Sequence, residues 1–171
     1  MFNHTLSFKC KPSQLLNLEN FLLTLLVFPL AFIMNSMLKQ QLPTIFIPEK
    51  LSMHIYRLPI YLSVFALLNL GYQILKVYCI RYEINTEELK HYSGILSRKH
   101  EFVELYRIKD YRVERPFVYR LFGLGNLILY TSDKTTPVIC LYAISDPEEK
   151  YKIIRRLVEL NRREKHVFEV D

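Results

Sequence analysis

Two stretches of this sequence carry no charge. Residues 20–38, NFLLTLLVFPLAFIMNSML, and residues 58–75, LPIYLSVFALLNLGYQIL, hold no Asp, Glu, Lys or Arg. Crossing the hydrocarbon core of a bilayer takes about 20 mostly apolar residues, and both runs reach that length once their flanks are counted. The competing reading is a pair of buried core helices, but core helices rarely run this long without a charge. The mean hydropathy of +0.07 is high for a chain of this size. The first run is too long for the apolar part of a cleaved leader, and no A-x-A site follows it, so it is expected to be retained. Pro29 lies near its middle, where a proline frees a carbonyl and kinks the helix.

The cations set an orientation. Lys9 and Lys11 precede the first run, Lys39, Lys50 and Arg57 lie between the runs, and Lys76, Arg81, Lys90, Arg98 and Lys99 follow the second. Positive residues favour the cytoplasmic side, so both termini are expected there. The layout that follows has three parts. Residues 1–16 form a cytoplasmic tail, and residues 17–80 form a transmembrane hairpin. Its spans are about 18–38 and 57–78, joined by an outside loop, 39–56, whose TIFI segment can rest in the interface. Residues 81–171 form a cytoplasmic domain.

That domain is dense in charge but nearly balanced, with 17 Lys/Arg against 15 Asp/Glu. Nucleic-acid binding would need clustered charge of one sign and is not expected. Lys76, Arg81, Arg98 and Lys99 are candidates for generic contact with anionic lipid, at about 1 kcal/mol per cation near the surface. Cys10, Cys79 and Cys140 are far apart and odd in number, which argues against a disulfide framework. Free thiols are the preferred reading, although Cys10 and Cys79 fall near membrane boundaries where S-acylation is conceivable.

After the second run the period changes to two. Tyr78, Ile80, Tyr82 and Ile84 alternate with Cys79, Arg81 and Glu83, as on a half-buried strand. Six or seven short strands follow, broken by turns at 85–88, at Ser93-Gly94, at Pro116 and at SDKT. The end of the chain changes period again. Tyr151, Ile154, Leu157 and Val158 form one face of a helix over about 146–163, with Ser145 or Asp146 as cap and Pro147 in the first turn. Two helices, a run of strands and a closing helix give an α+β chain. Its sheet is expected to be an open antiparallel sheet or half-barrel covered by that helix.

The segment YRLFGLGN, Tyr119–Asn126, holds Gly123 and Gly125. A phosphate-cradling glycine loop needs a strand before it and a helix after it. Here the order is reversed and no third glycine follows. The segment is therefore expected to be a structural turn built on Arg120, Phe122, Gly123 and Gly125, the glycines supplying backbone angles closed to other residues.

From here the sequence resembles the membrane-associated bacterial pleckstrin-homology-like (bacterial PH) domains. The resemblance rests on Tyr82-Glu83-Ile84 with Thr86 and Leu89, Gly94-Ile95-Leu96 with Arg98, and Glu104-Leu105 with Arg107-Ile108 and Asp110. It is strongest at Arg120-Leu121-Phe122-Gly123-Leu124-Gly125, and Thr131-Ser132 and Asp146-Pro147-Glu148 close it. It covers about residues 78–160. It implies a two-helix transmembrane hairpin and then a PH-like bent sheet of seven strands capped by a C-terminal helix. It implies no catalytic residue and no cofactor, and it implies work through assembly with like domains. In similar eukaryotic domains, cations around the first hairpin loop bind phosphoinositides. That loop is read here as Asn85-Thr86-Glu87-Glu88, whose carboxylates argue against specific phosphoinositide binding.

No enzyme motif is present. His4, His54, His91, His100 and His166 lack ligand spacing, so no metal site is expected, and no nucleophile motif occurs. Asn35 and Asn69 lie in the spans and need hydrogen-bond partners. At 1.5 Å per residue they differ by roughly 13 Å in depth, too far for a mutual bond. The expected function is a non-enzymatic, membrane-anchored interaction and oligomerisation module. Phe117, Ile128 and Tyr130 are candidates for its contact surface. The partners expected are the lipid bilayer and a second copy or a related PH-like protein. The alternative is an accessory subunit of a transport, secretion or defence complex whose contacts are made by the spans.

Overall fold

The computed structural model describes residues 7–41 and 49–166. They fold into two units, one of residues 17–75 and one of residues up to Leu16 together with those from Lys76 onward.

The first unit is a pair of helices, α1 (Leu18–Gln41) and α2 (Glu49–Tyr78), the latter running on past the unit's limit. Both are long and apolar enough to cross a membrane, and only 11% and 6% of their most apolar windows is buried within the protein. The core helix of a soluble protein is mostly covered by its own fold, and these two are not. Leu25, Leu26, Phe32, Phe65 and Leu68 point outward. Three polar side chains within the pair are turned onto backbone. Thr24 Oγ1 donates to Asn20 O at 2.7 Å and Ser63 Oγ to Pro59 O at 2.9 Å. Asn17 Nδ2 donates across the pair to Gln73 O at 3.2 Å. The helices extend beyond the expected spans into the expected loop. The TIFI segment lies outside the described residues.

The second unit holds seven strands among the described residues: β1 (Phe8–Cys10), β2 (Arg81–Ile84), β3 (Glu88–Ser93), β4 (Lys99–Glu104), β5 (Ile108–Glu114), β6 (Leu124–Thr131) and β7 (Val138–Ser145). They form two antiparallel sheets, β1-β2-β3-β4 and β5-β6-β7. A short helix α3 (Phe117–Leu121) precedes β6, and α4 (Pro147–Glu164) closes the chain.

The N-terminal segment departs from the tail expected of it. Phe8 pairs with Ile84, Lys9 with Glu83 and Cys10 with Tyr82, and Ser13 N donates to Ala143 O at 2.9 Å. Phe8 and Cys10 pack on the core. Six strands lie after residue 80, and the seventh comes from the other side of the helix pair. The pair is thus carried in the connection between two neighbouring strands of one sheet. Both of its ends return to the same sheet.

Alternation fills the core as the period-two rule requires. Tyr82, Ile84, Leu89, Val103, Leu127, Leu129 and Leu141 are buried, and Ile154, Leu157 and Val158 of α4 close over them. Tyr151, expected on this face, is half-buried and meets Tyr111 edge-on at 5.4 Å. Asn161 carries α4 to the first sheet, its Nδ2 donating to Thr86 O and, at 2.9 Å, to Leu157 O. Arg162 Nη2 reaches Ile108 O at 2.6 Å.

The start of α4 differs from the expected cap. Asp146 is left-handed, with φ 43°, and its side chain makes no capping bond. Lys150 turns back instead, its Nζ donating to Ser145 O and, at 2.9 Å, to Ser145 Oγ.

Candidate functional site

Gly123 has φ +66° and nothing near the place of a Cβ, so it serves the turn through its backbone angle. Gly125 does not. It sits inside β6, and a Cβ there would stand 2.8 Å from Pro147 Cγ and 2.9 Å from Arg115 Cγ. Its role is close approach between β6 and the start of α4, which replaces the turn role read from the sequence. Beside this segment α3 presents Phe117, Leu121 and Phe122, 67%, 68% and 63% exposed. The Arg120 guanidinium lies 5.7 Å from the centre of the Phe117 ring. Ile128 and Tyr130, grouped with Phe117 in the sequence reading, are only half-exposed.

A different surface gathers charge. Arg81 opens β2, and Arg98 and Lys99 end the β3–β4 turn. All three line one cleft of about 450 Å³ with Tyr78, Cys79, Tyr92 and His100. The turn is shaped by Gly94 at φ +97°, where a Cβ would fall 1.9 Å from Ser97 O. The cleft has one carboxylate, Glu83, already held by Lys9 at 3.0 Å. Lys76, the fourth cation of the expected set, is exposed but does not line the cleft. Lys11 stands at its margin, 5.2 Å from the Tyr78 ring centre. At the tip of the turn Leu96 is 99% exposed.

Sequence reading found three of these cations but missed the cleft, Tyr92, His100 and Leu96. The signal lay in Gly94-Ile95-Leu96-Ser97-Arg98-Lys99, an apolar pair followed by two cations at a turn. The Asn85–Glu88 turn joins β2 to β3 and so is the second connection of the sheet, not the first. Glu87 is exposed there, and Glu88 pairs with Lys90 at 3.5 Å.

His91 Nδ1 lies 2.9 Å from Glu101 Oε2, its ring stacked on Tyr82. His100 packs edge-on against Tyr92 at 4.9 Å. Burial pushes the Cys10 thiol up to about 11, which suppresses its thiolate. No cluster of His, Cys, Asp and Glu suited to a metal ion occurs among the described residues. In the helix pair, Asn35 Oδ1 is buried with no hydrogen-bond partner. Asn69 lines an apolar groove of about 290 Å³ with Leu23, Val27, Phe65 and Ala66.

A family model described as bacterial PH domain matches residues 22–158, which takes in most of the helix pair and most of the sheet unit. No curated protein and no solved structure matches the chain.

Proposed function

This chain belongs to the bacterial PH domain family, and from that premise we propose that it is a non-enzymatic interaction and oligomerisation module anchored in the bacterial inner membrane. It passes twice through the bilayer with both termini cytoplasmic. The anchoring is supported by two apolar helices left almost uncovered by the protein. The shared side of the termini is supported by the strand pairing. Helices that leave β1 and return to β2 must go out and come back, and the excess of Lys and Arg on their outer flanks favours the cytoplasm for those ends.

The interaction role rests on one observation, the exposure of Phe117, Leu121 and Phe122 on the five residues of α3 and the one that follows. In a domain otherwise rich in charge, an apolar cluster of this kind marks a contact surface. A second copy is the partner it suits. Copies held in one membrane plane meet at high effective concentration, so a small patch suffices.

The test sizes the full-length chain in detergent beside the triple variant Phe117→Ser/Leu121→Ser/Phe122→Ser. A discrete oligomer that the variant reduces to monomer supports the reading. A monomeric wild type overturns oligomerisation, and a chain that stays soluble and monodisperse without detergent overturns anchoring. Digestion of the C-terminal half by protease added outside intact cells overturns the orientation. A second reading, contacts made by the helices with another membrane protein, is favoured by the unpartnered Asn35 Oδ1. Association only with a co-expressed membrane protein, unchanged in the α3 variant and broken by Asn35→Leu, would select it.

A further inference from the structure

We infer that the outer edge of β4 pairs with the same strand of a second copy of this chain, antiparallel and centred on Phe102, so that two four-stranded sheets join as one of eight. The inference rests on the assembly reading above and adds to α3 a separate contact with its own register. It uses residues of the sheet unit alone.

The backbone comes first. β4 ends its sheet, with β3 on one flank and no strand on the other. Hydrogen-bond parity tells which groups the free flank carries. Leu105 N donates to Glu87 O at 2.9 Å. In an antiparallel ladder, opposed residues exchange bonds at every second position. Leu89 with Val103, His91 with Glu101 and Ser93 with Lys99 are therefore the bonded pairs of β3 and β4. His100, Phe102 and Glu104 turn their N–H and C=O groups outward. Among the described residues, no backbone bond leads from Lys99–Glu104 to anything but β3. The next residues differ: Arg162 donates to Tyr106 O and Ile108 O, and Ser132 N to Arg107 O. Edge strands are commonly blunted by a bulge or a proline. β4 has no proline and pairs with β3 without a register shift, and Phe102 stands 53% exposed at its middle.

The side chains select the partner. Across a two-fold axis, outward-turned residues must meet outward-turned residues. Centring on Phe102 sets that ring against its own copy and sets His100 opposite Glu104 of the second copy, at both ends. An imidazole N–H donates to a carboxylate in either charge state of the ring, and directly opposed pairs of this kind stabilise a ladder. Glu104 can accept, because Tyr106 and Arg107 both hold its Oε2, while Oε1 has only Lys165 at 3.8 Å. Moving the centre to Glu101 opposes that carboxylate to itself, and moving it to Val103 sets Glu104 against Phe102, so neither neighbouring register keeps the pairs. On the outer face Tyr92 meets His100 edge-on at 4.9 Å and His100 stacks with Phe102 at 6.4 Å, a row of rings that the second Phe102 continues. A strand of unrelated sequence would gain the backbone bonds without these side-chain pairs. Copies sharing one membrane meet at high effective concentration, so a six-residue edge suffices.

The experiment oxidises cysteine variants of the full-length chain in membranes of the expressing cells, with Cys10, Cys79 and Cys140 replaced by Ser, and reads disulfide-linked dimer on a non-reducing gel. Phe102→Cys should cross-link, because the two-fold sets its two Cα atoms about 5.5 Å apart, within reach of a disulfide. His100→Cys and Glu104→Cys should each give about tenfold less dimer alone, since each lies four positions, about 13 Å, from its own copy. Co-expressed, those two variants should cross-link to each other. Phe102→Cys that links no better than His100→Cys alone overturns the register, and no dimer from a folded Phe102→Cys chain overturns the contact. A Phe102→Cys product of another mass puts a different protein on the edge and overturns the assignment to a second copy. A cysteine-free background that misfolds is replaced by the natural chain, with its own dimer band as the blank, and the same outcomes apply. The α3 contact is read separately, by sizing in detergent. An oligomer there without the Phe102 cross-link strikes the β4 edge and spares α3, and a cross-link from a chain that is monomeric there does the reverse.

Discussion

Strand β1 is only three residues long, yet it is the part of the sheet unit that the chain delivers from the far side of the helix pair. The isolated segment 81–171 lacks it. Removing it unpairs three positions of β2 and uncovers the core beside Phe8 and Cys10. At about 1 kcal/mol net per hydrogen bond and about 1–1.5 kcal/mol for half-burial of Phe8, the loss is about 3–5 kcal/mol. A domain of this size has roughly 5–14 kcal/mol in total, so the bare segment is expected to be marginal. A linked chain restores the strand: residues 7–13, an eight-residue Gly/Ser linker, then residues 80–171. Cys10 and Tyr82 are paired, about 5 Å apart, so Ser13 and Ile80 can be separated by at most about 23 Å, which eight residues span. Urea melts followed by circular dichroism read the difference. With a slope near 2 kcal/mol per molar urea, the linked chain should melt about 2 M higher than the bare segment. Equal midpoints would refute the claim that β1 belongs to the domain. A linked chain that is insoluble would refute the claim that the helix pair is an insertion in an otherwise complete sheet unit.

Three further outcomes are expected. The glycines should rank by mechanism in thermal melts of the full chain. Gly123→Ala should cost only about 1 kcal/mol, since its site has φ +66° and open space. Gly94→Ala should cost several times more, because the added carbon would fall on the Ser97 carbonyl, and equal shifts would sink this ordering. Asn161→Ala, which removes the donor to Thr86 O and Leu157 O, should cost about 1–3 kcal/mol in urea melts. Asn161→Asp should cost more, because it turns an acceptor toward two carbonyls. The Glu104 carboxylate accepts from Tyr106 Oη at 2.7 Å and from Arg107 Nε at 2.8 Å, which holds its pKa below the ordinary 4.5. A depressed folded value means that its contribution is present above the unfolded pKa and is lost as pH falls through the folded one. Tyr106→Phe should raise the Glu104 pKa in a carboxyl-carbon NMR titration, and no movement would remove the tyrosine from the account.

Local pattern made much of this fold legible. The two charge-free runs specify long apolar helices because nothing but lipid or protein can cover them. The 3.6-residue spacing of Ile154, Leu157 and Val158 specifies α4, and alternation specifies most strands, since each of these is a repeat along one stretch of chain. Gly123 was readable too, because a turn leaves its mark on its own residues.

What local pattern could not show depends on parts of the chain that meet only after folding. Phe8–Cys10 is too short to carry a period, and it becomes a strand because Arg81–Ile84 offers it an edge 70 residues later. Gly125 is small for the sake of Pro147 and Arg115, not for its own backbone angle. Arg81, Arg98 and Lys99 are ordinary surface cations in the sequence. The β2–β3–β4 register turns them into one cleft, because antiparallel pairing sets Arg81 opposite Tyr92 and Ser93 opposite Lys99. Hydrophobic period fixes the elements one by one, and hydrogen-bonded register between distant strands fixes which side chains become neighbours.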